Sequence, residues 1–178
     1  MSGQVSTDQD LWVSWDEYHS LIEQLACQIH HSGWQADQIL CLARGGLRVG
    51  DILSRLFDRP LAILSTSSYR EEGGTRQGSL VISATISSTF GHLQGRVLVV
   101  DDLADSGATL GAVIDHLKTH FPQVSEVRTG VLWSKACSRF QPDYCALALP
   151  SSPWIHQPFE HYDTLSPHDL AHSCRNKP

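Results

Sequence analysis

The residues best suited to chemistry stand together between Val97 and Thr109, in the stretch VLVVDDLADSGAT. Four apolar residues run into two adjacent acids, Asp101 and Asp102, and a short turn brings a third, Asp105. Ser106, Gly107, Ala108 and Thr109 then open a helical pattern. A helix start exposes backbone N–H groups without intrahelical acceptors, and the peptide dipoles add partial positive charge there, so these four residues offer a cradle for a phosphate. Gly107 lets the backbone approach such a group closely. The paired carboxylates would repel that phosphate. They call instead for hydroxyl donors or a divalent cation, and a ribose 5-phosphate with Mg²⁺ supplies both. Taken alone, D-x-x-D-S-G reads equally well as an acidic turn ahead of an ordinary helix cap.

A second candidate is Ala43-Arg44-Gly45-Gly46-Leu47, placed directly after an apolar run. Its backbone N–H groups and the Arg44 guanidinium suit a pyrophosphate that gains charge as it leaves. By itself R-G-G is an ordinary strand-to-helix turn, and it acquires the anion reading from the acidic motif beside it. His116 and His120 stand four apart on one helix, a spacing that can bind a metal, but no third ligand accompanies them and a solvated face explains them better.

Positioning these groups requires strands that end where the motifs begin. Tyr18, Leu21, Ile22, Leu25, Ala26 and Ile29 form one apolar stripe, predicting a helix over about 16–32. Ser14 and Glu17 have capping-box spacing at its start, and Gly33 sits where a left-handed cap belongs. Gln38 to Ala43 reads as a strand covered on both faces, followed by a helix over about 47–57 that Pro60 stops. Further strands are expected at 61–64, 80–86, 97–100, 127–133 and 144–149, with a helix over 108–120. Ser65 to Gly78 is polar and glycine-rich and reads as a functional loop. The tail after Pro150 reads as ordered but irregular. Strands alternating with amphipathic helices predict an α/β fold with a mainly parallel central sheet flanked by helices.

Composition narrows the function classes. The chain has 178 residues, 41 % of them apolar, enough for one domain with a core that needs neither disulfides nor metal. Thirteen Lys and Arg against nineteen Asp and Glu give a net charge of −6, which disfavours a phosphate-tracking nucleic-acid surface. No apolar run reaches the ~18–20 residues of a membrane span, so no integral membrane association is expected. The five cysteines show no C-x-x-C; Cys27, Cys41 and Cys145 lie in apolar segments and read as small core residues. Unpaired thiols and a polar start without a signal-peptide pattern point to a cytoplasmic, soluble protein.

The sequence resembles the type I phosphoribosyltransferases, whose phosphoribosyl-pyrophosphate motif is an apolar strand, two acids, two apolar residues and then D-T-G-x-T. Here it reads DDLADSGAT, with Ser106 keeping the hydroxyl of the usual Thr. The resemblance implies a single phosphoribosyltransferase domain over 1–178, with a flexible loop over about 66–78 and a small irregular hood over about 134–166. By motif position it implies that Asp101 and Asp102 hold the ribose hydroxyls, that Asp102 also serves Mg²⁺, and that Asp105 is the base near the purine. Ser106, Gly107, Ala108 and Thr109 take the 5-phosphate. Arg44, Gly45 and Gly46 take the pyrophosphate after a non-proline cis peptide at Ala43–Arg44, and Arg76 of the long loop joins them.

Within the family the chain is most similar to the bacterial xanthine-guanine enzymes, from Trp12 to Glu160. The match includes Trp15-Asp16, A-R-G-G-L, Ser67-Ser68-Tyr69, Lys135, and the run Trp154-Ile155 with Gln157-Pro158-Phe159-Glu160. Lys135 is thereby implied at the purine 6-oxo group, and Trp154 and Ile155 against the base. A donor-only ammonium accepts a 6-oxo group and rejects the amino group of adenine. The implied reaction is transfer of 5-phosphoribosyl from phosphoribosyl pyrophosphate to N9 of a 6-oxopurine in purine salvage, by a homo-dimer or homo-tetramer. Arg48, a long loop differing in length and charge, His156 and Phe159 depart from the relatives and leave open the choice among guanine, xanthine and hypoxanthine. A phosphoribosyltransferase for another acceptor, such as a pyrimidine, and a non-catalytic nucleotide-sensing regulator are the alternatives.

Overall fold

The computed structural model describes residues 10–68 and 80–175. In chain order the elements are β1 (Leu11–Trp12), α1 (Trp15–His31), β2 (Gln38–Ala43), α2 (Leu47–Phe57), β3 (Leu61–Ser68) and β4 (Leu80–Ser88). They continue with β5 (Gly95–Ala104), α3 (Ala108–His120), β6 (Val124–Ser134), β7 (Tyr144–Ala148), β8 (Ile155–His156), a 3₁₀ turn at Glu160–Asp163, and α4 (Pro167–Arg175). The chain divides into two compact units, Leu21–Ser152 and a smaller one made from the two chain ends. Residues 134–152, the first part of the segment read as a hood, cluster with the larger unit.

The larger unit carries a six-stranded sheet in the order β4-β3-β2-β5-β6-β7. All neighbours pair parallel except β3 with β4, which bears out the mainly parallel α/β sheet. Side chains alternate across it. Leu40, Leu42, Val97, Val99 and Val131 share a core with Leu110, Val113 and Leu117 of α3. On the opposite face, Gly50 of α2 meets Cys41, and Leu25 of α1 lies over Gly130 beside Val100. Fully buried aliphatic side chains of this kind stabilise by about 1.5–3 kcal/mol each.

The sheet order places β2 beside β5, and their exits diverge. The connection after β2 leads through α2 to β3 on one side; the connection after β5 leads through α3 to β6 on the other. At such a switch point the loops separate and leave a crevice at the carboxyl ends of the strands. Both chemical motifs begin there.

Local signals behave as expected at α1. The Ser14 N–H donates to Glu17 Oε2 at 2.8 Å and the Glu17 N–H to Ser14 Oγ at 3.2 Å, closing the capping box. Gly33 adopts φ +73°. β2 and α2 have the expected bounds, and α2 is capped after Phe57 by Asp58, a non-glycine residue at φ 50°.

Four expectations are corrected. Residues 65–68 belong to β3 rather than to the loop, because Thr66, Ser67 and Ser68 pair with Ile82, Val81 and Leu80 of β4; the rest of the expected loop, including Arg76, lies outside the described residues. β5 runs on through Asp101 and Asp102 to Ala104, since Asp101, Leu103 and Ala104 pair with Val131, Trp133 and Ser134 of β6. Cys27 is exposed on α1, whereas Cys41 is buried and Cys145 partly so. The tail holds regular structure: β8 pairs with β1 (Leu11 with Ile155, Trp12 with His156), and α4 is closed by Ser166 and Asp169, whose side chains bond each other's backbone N–H at 3.2 and 3.0 Å.

Candidate active site

The two motifs meet at the switch point. β2 ends at Ala43, the Ala43–Arg44 peptide is cis as expected, and the chain folds back through Gly45 and Gly46 into α2. The turn is closed by the Gly46 N–H on Leu42 O at 2.8 Å and the Leu47 N–H on Arg44 O at 3.2 Å. Neither glycine has room for a side chain. A Cβ on Gly46 would lie 2.5 Å from Val100 O; one on Gly45 would lie 2.5 Å from Asp102 Oδ1 and 2.7 Å from its Cγ. The A-R-G-G loop is therefore packed directly against the acid pair.

Asp101 and Asp102 lie side by side at the end of β5, both partly buried. The Asp102 N–H donates to Asp101 Oδ1 at 2.9 Å. Burial pushes the Asp101 carboxyl well above the usual carboxylate range, and the neighbouring Asp102 charge raises it further, against the backbone N–H groups of Asp102 and Gly46. Adjacent hard oxygen donors of this kind fit Mg²⁺, which keeps most of its shell for water and substrate phosphates. Among the described residues no cluster of three or more His, Cys, Asp or Glu forms a closed metal cage, and His116 and His120 gather no third ligand.

Beyond β5 the chain passes the exposed Asp105 and Ser106 to Gly107, which caps α3 at φ 78°. Gly107 is needed twice over: for that left-handed backbone, and because Phe140 Cβ and Ser138 Oγ occupy the space a Cβ would take. No side chain caps α3 at Gly107; the Ala108 N–H meets only Ser106 Oγ, at 3.3 Å. A helix start without a cap from its N-cap residue suits an anion.

Lys135 follows β6, its N–H on Ala104 O at 3.1 Å. Its side chain is only 9 % exposed, yet Nζ reaches Asp105 Oδ1 at 3.2 Å. The sequence separation of thirty residues hid this pairing, which follows from β6 lying beside β5. Asp101, Asp102, Asp105, Ser106 to Thr109, Arg44 to Gly46 and Lys135 all belong to the larger unit.

Trp154 and Ile155 belong to the smaller unit. Trp154 is 55 % exposed and Ile155 buried, so the Ile155 side chain is a core residue. The Trp154 carbonyl accepts the Leu11 N–H at 2.8 Å and that of His156 the Val13 N–H at 3.0 Å. Trp12 stacks on His156 with ring centroids 3.8 Å apart, and His156 Nε2 lies 3.0 Å from Asp10 Oδ2. These contacts tie the smaller unit together.

A strand-end acid pair, a glycine loop packed on it and a helix N-terminus stand together at one switch point, an arrangement suited to a sugar phosphate. Residues 14–164 match the family model of the phosphoribosyl transferase domain, and the chain belongs to this family. Its fold is that of the type I phosphoribosyltransferases. It is 32 % identical over 139 residues to a xanthine-guanine phosphoribosyltransferase of Roseobacter denitrificans, covering 67 % of this chain and 77 % of that one. Among solved structures, a purine phosphoribosyltransferase from Pyrococcus horikoshii Ot3 superposes with a TM-score of 0.69 at 30 % identity, over 84 % of this chain and 93 % of the other. The Helicobacter pylori xanthine-guanine-hypoxanthine phosphoribosyltransferase gives 0.71 at 25 % identity, over 94 % and 100 %.

Proposed function

We propose that the chain is a purine-salvage phosphoribosyltransferase that transfers 5-phosphoribosyl from phosphoribosyl pyrophosphate to N9 of a 6-oxopurine, releasing pyrophosphate. The contact of Gly45 with the Asp102 carboxylate carries this reading, because it sets a pyrophosphate loop against acids suited to the ribose hydroxyls. The likeness to enzymes named for xanthine, guanine and hypoxanthine supplies the acceptor class.

The chemistry divides among the residues by charge. As the C1–O bond breaks, positive charge builds on the ribose and negative charge on the departing pyrophosphate. Arg44 and the amides of Gly45 and Gly46 stabilise the latter, joined in this reading by Arg76. The amides and hydroxyls of Ser106 to Thr109 fix the 5-phosphate, and Asp101 and Asp102 hold the ribose hydroxyls. Asp105 takes the proton that the purine loses at N7, and Lys135 donates to the 6-oxo oxygen. A Mg²⁺ ion held at Asp102 would neutralise pyrophosphate charge when bound. The resemblance assigns Trp154 and, through its backbone, Ile155 to the base. The same reading makes the enzyme a cytoplasmic homo-dimer or homo-tetramer; no helix among the described residues is long and apolar enough to cross a membrane.

Pyrophosphate release with phosphoribosyl pyrophosphate and Mg²⁺ tests the proposal, with guanine, xanthine, hypoxanthine or uracil as acceptor. Turnover with at least one 6-oxopurine, lost on chelation and restored by Mg²⁺, is expected. Turnover only with uracil would move the acceptor class. Tight nucleotide binding without turnover on any base would make the chain a sensor.

A further inference from the structure

The turn that carries Asp105 is gripped by one segment, residues 135–140. Alternate residues of that segment lie against successive carbonyls of the turn. The Lys135 N–H donates to Ala104 O at 3.1 Å, Cys137 Sγ lies 3.6 Å from Asp105 O, and the Arg139 N–H donates to Ser106 O at 3.0 Å. The segment is tied on its other side as well, through the Ala136 N–H on Ser151 O and the Cys137 N–H on Ser152 Oγ, both at 3.1 Å. Phe140 and Ser138 close the frame by filling the space beside Gly107.

Two side chains of the frame reach the Asp105 carboxylate, and both meet the same oxygen: Lys135 Nζ at 3.2 Å and Cys137 Sγ at 3.7 Å from Oδ1. The carboxylate is otherwise exposed, with 64 % of its side chain open, so these donors set its rotation. They differ in one respect. In the proposed reaction the Lys135 ammonium is drawn to the 6-oxo oxygen and shared with the substrate, whereas the thiol carries no charge for the substrate to recruit. We propose that Cys137 is a positioning residue: its S–H donates to Asp105, holds Oδ1 toward the 135–140 segment and leaves Oδ2 to meet the purine proton. The inference rests on Asp105 being the base.

Steady-state kinetics of Cys137→Ala, Cys137→Ser, Cys137→Val, Asp105→Asn and the double variant Cys137→Ala/Asp105→Asn test it. Removing the donor should lower kcat about three- to tenfold, the range of one modest hydrogen bond, and leave KM for phosphoribosyl pyrophosphate unchanged. Cys137→Ser should recover most of the loss, because a hydroxyl donates from nearly the same place. Cys137→Val keeps the volume without the donor and gives the same reading should the alanine variant fold poorly. In the Asp105→Asn background, Cys137→Ala should cost nothing further. Wild-type kcat in both donor-free variants, or an equal loss in the Asp105→Asn background, overturns the role of the thiol while leaving Asp105 in place. Wild-type kcat in Asp105→Asn removes the base itself, and the positioning role falls with it.

Discussion

Gly45 and Asp102, fifty-seven residues apart, stand so close that a methyl group on the glycine would occupy the carboxylate's place, 2.5 Å from Oδ1. Gly45 has no left-handed backbone, so alanine there meets no conformational barrier. The whole effect falls on Asp102, whose carboxylate must move. Gly45→Ala should raise KM for phosphoribosyl pyrophosphate about tenfold or more, in keeping with the cost of misplacing a binding group by ~1 Å. Its melting temperature should stay within a few degrees of wild type.

Gly46→Ala should do the reverse. Its Cβ meets the Val100 carbonyl at 2.5 Å and the Leu42 carbonyl at 2.9 Å, both backbone atoms of the two central strands, which cannot turn aside. Overpacking of this kind costs about 1–3 kcal/mol. Denaturant unfolding of the two alanine variants side by side checks the contrast: comparable stability losses would mean that neither loop contact is as drawn.

Asp105→Asn keeps the size of the side chain and its place on the turn but removes the proposed proton acceptor. Turnover should fall by about 10²–10⁴, the usual worth of a general base, with little change in phosphoribosyl pyrophosphate affinity. Single-turnover rates and a binding titration separate the two, and unchanged turnover would remove Asp105 from the mechanism.

Lys135→Ala removes the proposed donor for the 6-oxo group and also the ammonium 3.2 Å from Asp105. Selection between hypoxanthine and adenine should relax by about tenfold or more, since a site left without its polar partner loses its preference. The ratio of kcat/KM for the two bases measures this; a ratio equal to wild type would place the selecting donor elsewhere.

Much of the frame was legible because its elements announce themselves locally. The capping box at Ser14 and Glu17, the six-residue apolar run of β2 and the helix opening after Gly107 each follow from neighbours in sequence. The strand bounds that depart from the sequence pattern are set by partners. Ser65 to Ser68 are polar and become strand because β4 lies alongside; Asp101 and Asp102 stay in β5 because β6 does. In the tail, Ser166-Pro167-x-Asp169 carried a legible helix start, with a capping residue, proline at the first helical position and an acid at the third. The surrounding prolines obscured it. At the candidate site the residue types suited to anions were legible in sequence, whereas the contacts of Gly45 with Asp102 and of Lys135 and Cys137 with Asp105 arise from strand order, which no local pattern encodes.

Cys41 supplies a prediction about stability at alkaline pH. Its thiol is buried in β2 against Gly50 of α2, and burial, aided by the charges of Asp101 and Asp51, pushes its pKa up to about 11. An unfolded chain ionises this thiol near 9.0, the folded protein only near 11. Protons are therefore held more tightly in the folded state, so this contribution is fully present below about pH 9 and is lost as the pH rises through about 11. Cys41→Ala removes the titrating group and also some packing, so the variant should be less stable than wild type at about pH 8. By about pH 10.5 wild type alone has lost the thiol contribution, and the gap between the two should narrow by on the order of 2 kcal/mol. Urea unfolding of both proteins at the two pH values measures that change, and a gap of constant size would show that the Cys41 thiol titrates alike in the folded and unfolded chains.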